Sequence, residues 1–397
     1  MDAETIIKSD VIILGAGAAG LFCGIEAGKR GRKVIILEHN SRPGKKILIS
    51  GGGRCNFTNL GASPAHYLSD NPSFCISALK RYPPQTFIQQ MEKWGISYHE
   101  KKLGQLFCDR SSDDLLECLL HEVRQYGVEI LTEVHPTRVV KEDNLYITKT
   151  DKGVFHAPSL VLATGGLSLP KSGASDLGYR IATEMGHTLI PPRPALVPLL
   201  WGAEDSARFD GMAGVSLEVK AQVGKTLFRE NLLFTHKGLS GPAILQISSY
   251  WKEGEPVWIN FCPEYPMGDW LIEQKQRKPS LELKTLLNQL LPERLARRWC
   301  EVYHSSKPLC DCKDKQLRFL GETLNRWKFI PAGTEGFVRA EVTRGGLNTR
   351  EFSSKTMESQ CSQGLYAIGE ILDVTGWLGG YNFQWAWSSG WAAGNAL

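Results

Sequence analysis

No stretch of the 397-residue sequence approaches the roughly 18 uncharged apolar residues that a membrane-crossing helix requires, so no membrane partner is expected. The N-terminus, Met1-Asp2-Ala3-Glu4-Thr5, lacks a basic segment followed by an apolar run, and no secretory signal is read there. Charge of one sign is scarce. Lys plus Arg is 46 and Asp plus Glu is 42, leaving +4, too little to point by itself to nucleic acid. The ten cysteines include no Cys-x-x-Cys pair, which argues against a disulfide framework and for reduced thiols in the cytoplasm. Cys300, His304, Cys310 and Cys312 raise the question of zinc. Cys310-Asp311-Cys312 is an unusual spacing for that metal, so free thiols are the reading and no metal is expected. No sustained repeat marks a coiled coil or a collagen-like chain.

What is present is ordinary globular material. Apolar residues at 42% and charged residues at 22% exclude disorder as the main state. The length predicts two or three domains.

The clearest pattern runs from Asp10 to Glu38. Val11-Ile12-Ile13-Leu14 reads as a strand buried on both faces. It leads into Gly15-Ala16-Gly17-Ala18-Ala19-Gly20, a helical stretch, and a second apolar run, Val34 to Leu37, closed by Glu38. In a dinucleotide site Gly15 makes the tight turn, and Gly17 lets the backbone approach a pyrophosphate. Gly20 lets helix and sheet pack closely, with Ala18 and Ala19 in the first helical turn. The helix start offers N–H groups to phosphate. Glu38 can accept from ribose hydroxyls, which favours NAD or FAD over NADP.

That motif alone does not choose between NAD and FAD, but two distant segments do. Leu160-Val161-Leu162-Ala163-Thr164-Gly165-Gly166 is a buried strand ending in small residues, as found beside the cofactor in FAD proteins of the glutathione-reductase type. Leu365-Tyr366-Ala367-Ile368-Gly369-Glu370 resembles the segment that returns to hold the ribityl and phosphate end of FAD. Gly379-Gly380-Tyr381-Asn382 then opens a helix whose positive end suits the flavin N1–C2=O edge. Segments from residue 15 to residue 382 imply a discontinuous FAD domain. A second G-x-G-x-x-G is missing, so NADH or NADPH would act only as a transient donor.

Longer motifs carry a family resemblance. Pro43-Gly44-Lys45-Lys46-Ile47-Leu48-Ile49-Ser50-Gly51-Gly52-Gly53-Arg54-Cys55-Asn56-Phe57-Thr58-Asn59 resembles the signature of the YhiN-like, or BaiN/aminoacetone-oxidase-like, family of FAD-binding oxidoreductases. So do Ala163 to Pro170, Leu233-Phe234-Thr235-His236-Lys237-Gly238-Leu239-Ser240-Gly241-Pro242, and Asp373 to Gln384. One departure is Asp176-Leu177-Gly178-Tyr179, where the family often has Gly-Asp-Gly-Tyr. The resemblance implies an α/β fold: a discontinuous Rossmann-like FAD-binding domain of glutathione-reductase type, an inserted β-rich domain and a small helical insert. The expected boundaries are 1–194 with 345–397 for the FAD domain, 195–265 with 325–344 for the β-rich domain, and 266–324 for the helices. Val215 to Ala221 alternates as a half-exposed strand, and Leu281 to Val302 has helical spacing broken at Pro292. Family members carry out different reactions, including amine oxidation and reduction of unsaturated steroid ketones, so membership leaves the substrate open.

Candidate cofactor contacts are therefore Gly15, Gly17, Ala18, Ala19, Gly20, Glu38, Lys46, Gly53, Arg54, Cys55, Asn56, Ala163, Thr164, Gly165, Gly369, Glu370, Gly380, Tyr381 and Asn382. Candidate catalytic residues are His236, Lys46 and Tyr381. His236 is either a general acid or base or a structural residue holding its turn. Trp385 and Trp387 read as core. The leading expectation is an FAD-dependent oxidoreductase acting on a small organic molecule by hydride transfer through the flavin, without nucleic acid as a partner. The alternatives are a flavoprotein that binds or modifies RNA and a non-catalytic FAD-binding protein. The modest basic groupings, Lys275, Arg277 and Lys278 with Arg294, Arg297 and Arg298, read as solvated helix faces.

Overall fold

A computed structural model describes residues 6–303 and 307–397. The chain forms two compact units, one ending at Arg193 and resumed at Val342–Leu397, the other Pro194–Glu341.

The first unit is built on a five-stranded sheet, ordered Leu365–Ala367, Ser159–Leu162, Val11–Leu14, Val34–Leu37, Glu129–Leu131. All neighbours are parallel, with Val161 beside both Ile13 and Tyr366, and Ile13 beside Ile36. Every residue of Val11–Leu14 and Val34–Leu37 is buried, as expected for strands covered on both faces. The helix Ala18–Lys29 packs against the C-terminal helix Tyr381–Gly394 through small residues. A Cβ on Gly390 would meet the Ala19 carbonyl oxygen at 2.7 Å, and one on Gly394 would meet that of Cys23 at 2.7 Å. In the departing tetrapeptide Asp176 to Tyr179, Leu177 packs half-buried on the core and Gly178 lies tight against the Thr164 side chain.

Trp385 and Trp387 are buried, as read from the sequence. Trp387 stacks on Phe87 with ring centres 4.4 Å apart and donates its indole N–H to the Phe57 carbonyl at 2.8 Å.

The second unit carries a seven-stranded sheet, ordered Trp327–Phe329, Val257–Asn260, Ser216–Val223, Thr226–Phe234, Gly238–Ser240, Leu199–Leu200, Gly333–Thr334. The pairings recorded along it are antiparallel. One face is covered by the helix Pro242–Ser248, which buries Ile244 and Ile247. The stretch expected as a separate helical insert does form helices, including Leu283–Leu287 and Glu293–Val302 on either side of Pro292. It does not stand apart from the β-rich part. Trp299 lies 5.2 Å from Phe261 and 6.0 Å from Phe209, and a Cβ on Gly321 would strike Gly268 N at 2.2 Å. One aromatic core thus joins helices and sheet, so 194–341 forms a single unit.

Three of the six residues in the basic helix groupings bond within the unit, while Arg277, Lys278 and Arg297 are exposed. Arg294 donates to the Gly211 and Ala213 carbonyls, Arg298 to that of Asp210, and Lys275 to Cys312 O and Asp314. His304 lies outside the described residues. Cys300 and Cys312 are buried and Cys310 is exposed, and among the described residues no three metal-ligating side chains gather.

Replacing Trp387 with Ala removes a stacked ring and orphans the Phe57 carbonyl. We expect a loss of about 3–5 kcal/mol in a denaturant titration, with Trp387→Phe recovering the stacking share.

Candidate functional site

Three parallel strands that are neighbours in the sheet end at the three segments singled out in the sequence. Gly15 leaves Val11–Leu14 with φ +106°, and a Cβ there would meet the Ala163 carbonyl oxygen at 2.5 Å. Gly20 is tighter still, with Gly15 O only 2.0 Å from its would-be Cβ. Gly17 behaves differently: it caps the helix Ala18–Lys29 with φ −81° and ψ −173°, and a Cβ there meets nothing within 4 Å. The helix start is therefore open at Gly17, whereas Ala19 is buried and Ala18 packs half-buried on the core. Beside it, Gly165 has φ +73° after Ala163 and Thr164, and Gly369 has φ +71° with its would-be Cβ 2.9 Å from that of Ala19. The Thr164 hydroxyl is buried without a hydrogen-bond partner.

Glu38 ends the strand Val34–Leu37 and is 5% exposed. One carboxylate oxygen accepts the Ala16 N–H at 2.8 Å; the other accepts the N–H and side-chain amide of Asn40, each at 2.8 Å. It fastens the glycine turn, and a carboxylate with about four acceptor sites retains capacity for a hydroxyl.

Lys46, on the short helix Lys45–Ile49, reaches Glu370 at 2.8 Å and the Ser168 hydroxyl at 2.9 Å. The other Glu370 oxygen accepts from Ser168 Oγ at 2.8 Å and Thr343 N–H at 2.9 Å. Thr343 Oγ1 in turn accepts the N–H groups of Leu167 and Ser168. Burial raises the Glu370 pKa, but the Lys46 charge and the hydrogen bonds from Lys46, Ser168 and Thr343 outweigh it, holding the carboxyl below its ordinary value. Nearby, the Asp373 carboxylate is buried and accepts from Asp70 N–H at 2.7 Å and Ser69 Oγ at 3.3 Å; burial pushes its pKa up.

Several expected contacts serve the fold. Asn56, with its amide nitrogen toward the Thr58 and Leu106 carbonyls, accepts from Gly380 N–H. Asn382 accepts from Gly376 N–H at 2.8 Å and donates to Gly376 O at 3.0 Å. Both amides thus close backbone turns, and Asn56 ties the 53–56 segment to the start of the C-terminal helix. Gly53 (φ +86°) and Gly380 (φ +94°) are left-handed, and Arg54 is exposed. Burial pushes the Cys55 thiol well up and that of Cys108 to about 12, which leaves neither a ready nucleophile. Tyr381 is buried, 5.0 Å from the His66 ring, and burial raises its phenol pKa.

His236 lies in the second unit, exposed at the bend between Thr226–Phe234 and Gly238–Ser240. That bend is held by Thr235, whose hydroxyl accepts from Gly238 N–H and donates to Gly238 O, both at 3.0 Å. The turn-holding explanation therefore belongs to Thr235.

The sequence reading missed Ser168, Thr343 and Asp373 as site residues. Ser168 and Asp373 sat inside quoted motifs, but a lone hydroxyl or acid among glycines carries no pattern of its own.

The model for the HI0933-like protein Rossmann domain matches residues 9–396. The chain belongs to that family. This HI0933-like chain is 47% identical over 396 residues, 98% of each chain, to the Escherichia coli protein named ribosomal RNA dihydrouridine synthase. A Haemophilus influenzae protein of the same name is 46% identical, covering 97% of both. A Clostridium scindens 3-dehydro-bile acid delta(4,6)-reductase is 31% identical, covering 97% of this chain and 98% of that one. A solved 3-ketosteroid-delta4-(5alpha)-dehydrogenase from Rhodococcus jostii superposes with a TM-score of 0.50 at 15% identity, over 98% and 97% of the two chains. A quinol-fumarate reductase gives 0.52 at 15% identity, over 99% and 71%. These two structures share the fold. The chain is an FAD-dependent oxidoreductase of α/β fold with a Rossmann-type FAD-binding domain. Among the described residues no helix is long and apolar enough to cross a membrane.

The residues fit FAD. Gly17 leaves a cradle that a side chain would fill, at a helix start whose N–H groups and dipole suit a diphosphate. Gly17→Asp should fold normally, because Asp is a favoured helix cap and its Cβ meets no neighbour. Its carboxylate would occupy and repel the diphosphate position. Protein purified without flavin absorbance, melting where flavin-stripped wild type melts, is the expected result; an equally yellow variant would refute the cradle.

Glu370→Gln should cost about 2 kcal/mol near neutral pH, because Lys46 loses its partner but keeps some water. A depressed carboxyl stabilises the fold above its unfolded value of 4.5 and loses that contribution as pH falls through the lower folded value. The gap between wild type and variant should therefore narrow in acid, as unfolding curves at stepped pH would show.

Proposed function

We propose that this chain reduces the C5–C6 double bond of uridine in ribosomal RNA, with FAD bound across the three strand ends and NADH or NADPH as the external donor. The carrying observation is the 47% identity, over 98% of both chains, to a protein named for dihydrouridine formation in ribosomal RNA. The third relative's name supports the same chemistry from another side. Uracil C5=C6 is conjugated to a carbonyl, as is the double bond of an unsaturated 3-ketosteroid. Each reduction adds a hydride to the carbon remote from the carbonyl and a proton to the carbon beside it. RNA thus replaces the small organic molecule expected from the sequence, whose even charge balance gave no basic stripe to read.

Bound FAD in its reduced form supplies the hydride. The protein's part is to hold and to protonate. The helix start at Gly17 would hold the diphosphate and Glu38 the ribose, and the opening of the C-terminal helix at Gly380–Asn382 would offer its positive end to negative charge on the flavin. The Lys46–Glu370 pair keeps the strand ends in register. We assign proton delivery to uracil C5 to His236, an exposed side chain that its own turn does not need. Ribosomal RNA and reduced thiols coexist in the cytoplasm, where we place the reaction.

The test is anaerobic incubation of the yellow protein with NADPH or NADH and ribosomal RNA lacking the modification, followed by nucleoside mass spectrometry. A uridine that gains two hydrogens is expected. Reduction of enones without any change in RNA would favour a small-molecule reductase, and a flavin that no donor bleaches would favour a non-catalytic protein. His236→Gln should keep the flavin and lower the RNA turnover rate at least about tenfold; unchanged turnover would remove it from the mechanism.

A further inference from the structure

Among the described residues, the outward side chains of the second unit's strands Trp327–Phe329, Val257–Asn260, Ser216–Val223 and Thr226–Phe234, on the face opposite the buried one, are exposed or half-buried. These strands alternate strictly, so the cross-strand register states which side chains share the open face. Val219, Ala221, Phe228, Leu232, Val257, Ile259 and Phe329 are buried on the covered face. On the opposite face lie Lys220 and Gln222, Leu227 and Arg229, Trp258, and Lys328, and each is exposed or only half-buried.

The register makes these residues contiguous. Lys220 stands opposite Arg229 on one side and Asn260 on the other. Gln222 stands opposite Leu227 and Trp258, and Trp258 opposite Lys328. Arg326, exposed, lays its guanidinium over the Trp258 ring at 4.4 Å from the centroid. The face thus has an aromatic centre under a planar cation, with lysines on two sides.

Its charge balance is positive. Arg229 is neutralised by Glu218 at 2.8 Å and by Glu264. No ion pair among the described residues engages Lys220, Lys328 or Arg326, nor Lys225 in the adjoining turn. By contrast, Arg294, Arg298 and Lys275 of the helices are bound to carbonyls or acids.

We propose that this face is a stacking platform for single-stranded RNA. The inference rests on the reading that the substrate is RNA and names where the chain grips it. A half-buried tryptophan with a stacked arginine offers a sequence-tolerant surface for a base, since every base has a π-face. The guanidinium adds five donors for base edges or phosphate. Lys220, Lys328 and Lys225 flank it as phosphate contacts. Gln222 and Asn260 border the ring; the Asn260 carbonyl oxygen is already engaged by Cys262 N–H and the Asn325 amide. A protein partner would be expected to find an apolar patch at the centre of the face. Leu227, at the edge, is the only exposed aliphatic side chain among the outward positions described here.

The test uses the FAD-loaded full chain and a fluorescein-labelled single-stranded oligouridine, read by anisotropy over a salt series. Wild type should bind with an affinity that falls steeply with salt. Trp258→Ala should weaken binding by about 5- to 150-fold, the range for loss of one stacked base, and Trp258→Phe should restore most of it. Lys220→Glu with Lys328→Glu should weaken binding and flatten the salt dependence. Lys149→Glu, on an exposed strand of the first unit, should change neither. Melting temperatures of all variants should match wild type, since none of the replaced side chains is in the core. The same variants are then assayed for reduction of ribosomal RNA. Wild-type turnover of that RNA together with unchanged oligouridine binding by Trp258→Ala and the double lysine variant would overturn the platform and leave the proposed function standing. Wild type that binds no oligouridine would also overturn it. Absence of any RNA reduction by wild type, with binding lost in the variants, would instead sink the proposed reaction and keep the platform.

Discussion

One carboxylate, that of Glu370, fixes the relation between segments that the chain brings together from far apart. It accepts from Lys46, from Ser168 and from the Thr343 backbone, positions separated by up to 324 residues. A charge taken out of water is costly unless its partners replace the lost hydration. Here they do, and the net effect keeps the carboxyl ionised. That demand is geometric: the Lys45–Ile49 helix, the turn after Ser159–Leu162 and the strand Val342–Leu347 must all arrive together, or a buried anion is left uncompensated. The cradle at Gly17 is positioned by the same arrangement, because Gly15 is in contact with Ala163 and Gly369 with Ala19.

How much of this could be read from the sequence depends on the kind of signal. Strands buried on both faces announce themselves as unbroken apolar runs, and glycines that must adopt left-handed or close-packed geometry leave gaps nothing else can fill. Gly15, Gly20 and Gly369 are of that kind, so the nucleotide turn and its distant neighbours were legible. Single polar residues near glycine loops were not. Asn56 and Asn382 read as ligand contacts from sequence; in the structure both also satisfy backbone groups, because a turn rich in glycine exposes N–H and C=O groups that some side chain must meet. Ser168 and Thr343 went unread for the converse reason: their importance comes from partners far along the chain, 202 residues away for Ser168 and Glu370 and 176 for Thr343 and Leu167.

The basic residues illustrate the same limit. Arg294 and Arg298, four residues apart on one helix, read as part of a solvated face, yet both donate to carbonyls of the 210–213 loop. Lys220 is more than a hundred residues from Arg326 and Lys328, yet strand register sets all three around one tryptophan. Cross-strand neighbours are chosen by pairing, which no local pattern states.

The two sheets also differ in what they can offer a ligand. A parallel sheet wrapped by helices on both faces has only its strand ends free, and its ligand must meet backbone N–H groups, helix starts and turns there. An antiparallel sheet covered once keeps a whole face of side chains in water. The first arrangement suits a compact, invariant molecule such as a dinucleotide, which can be held by backbone geometry that tolerates no substitution. The second suits an extended polymer whose sequence varies, since a broad surface of stacking and charge accepts many bases at modest cost. A chain that carries both in separate units can therefore keep its cofactor cradle fixed while the open face of the second sheet changes, one outward side chain at a time, without disturbing either core.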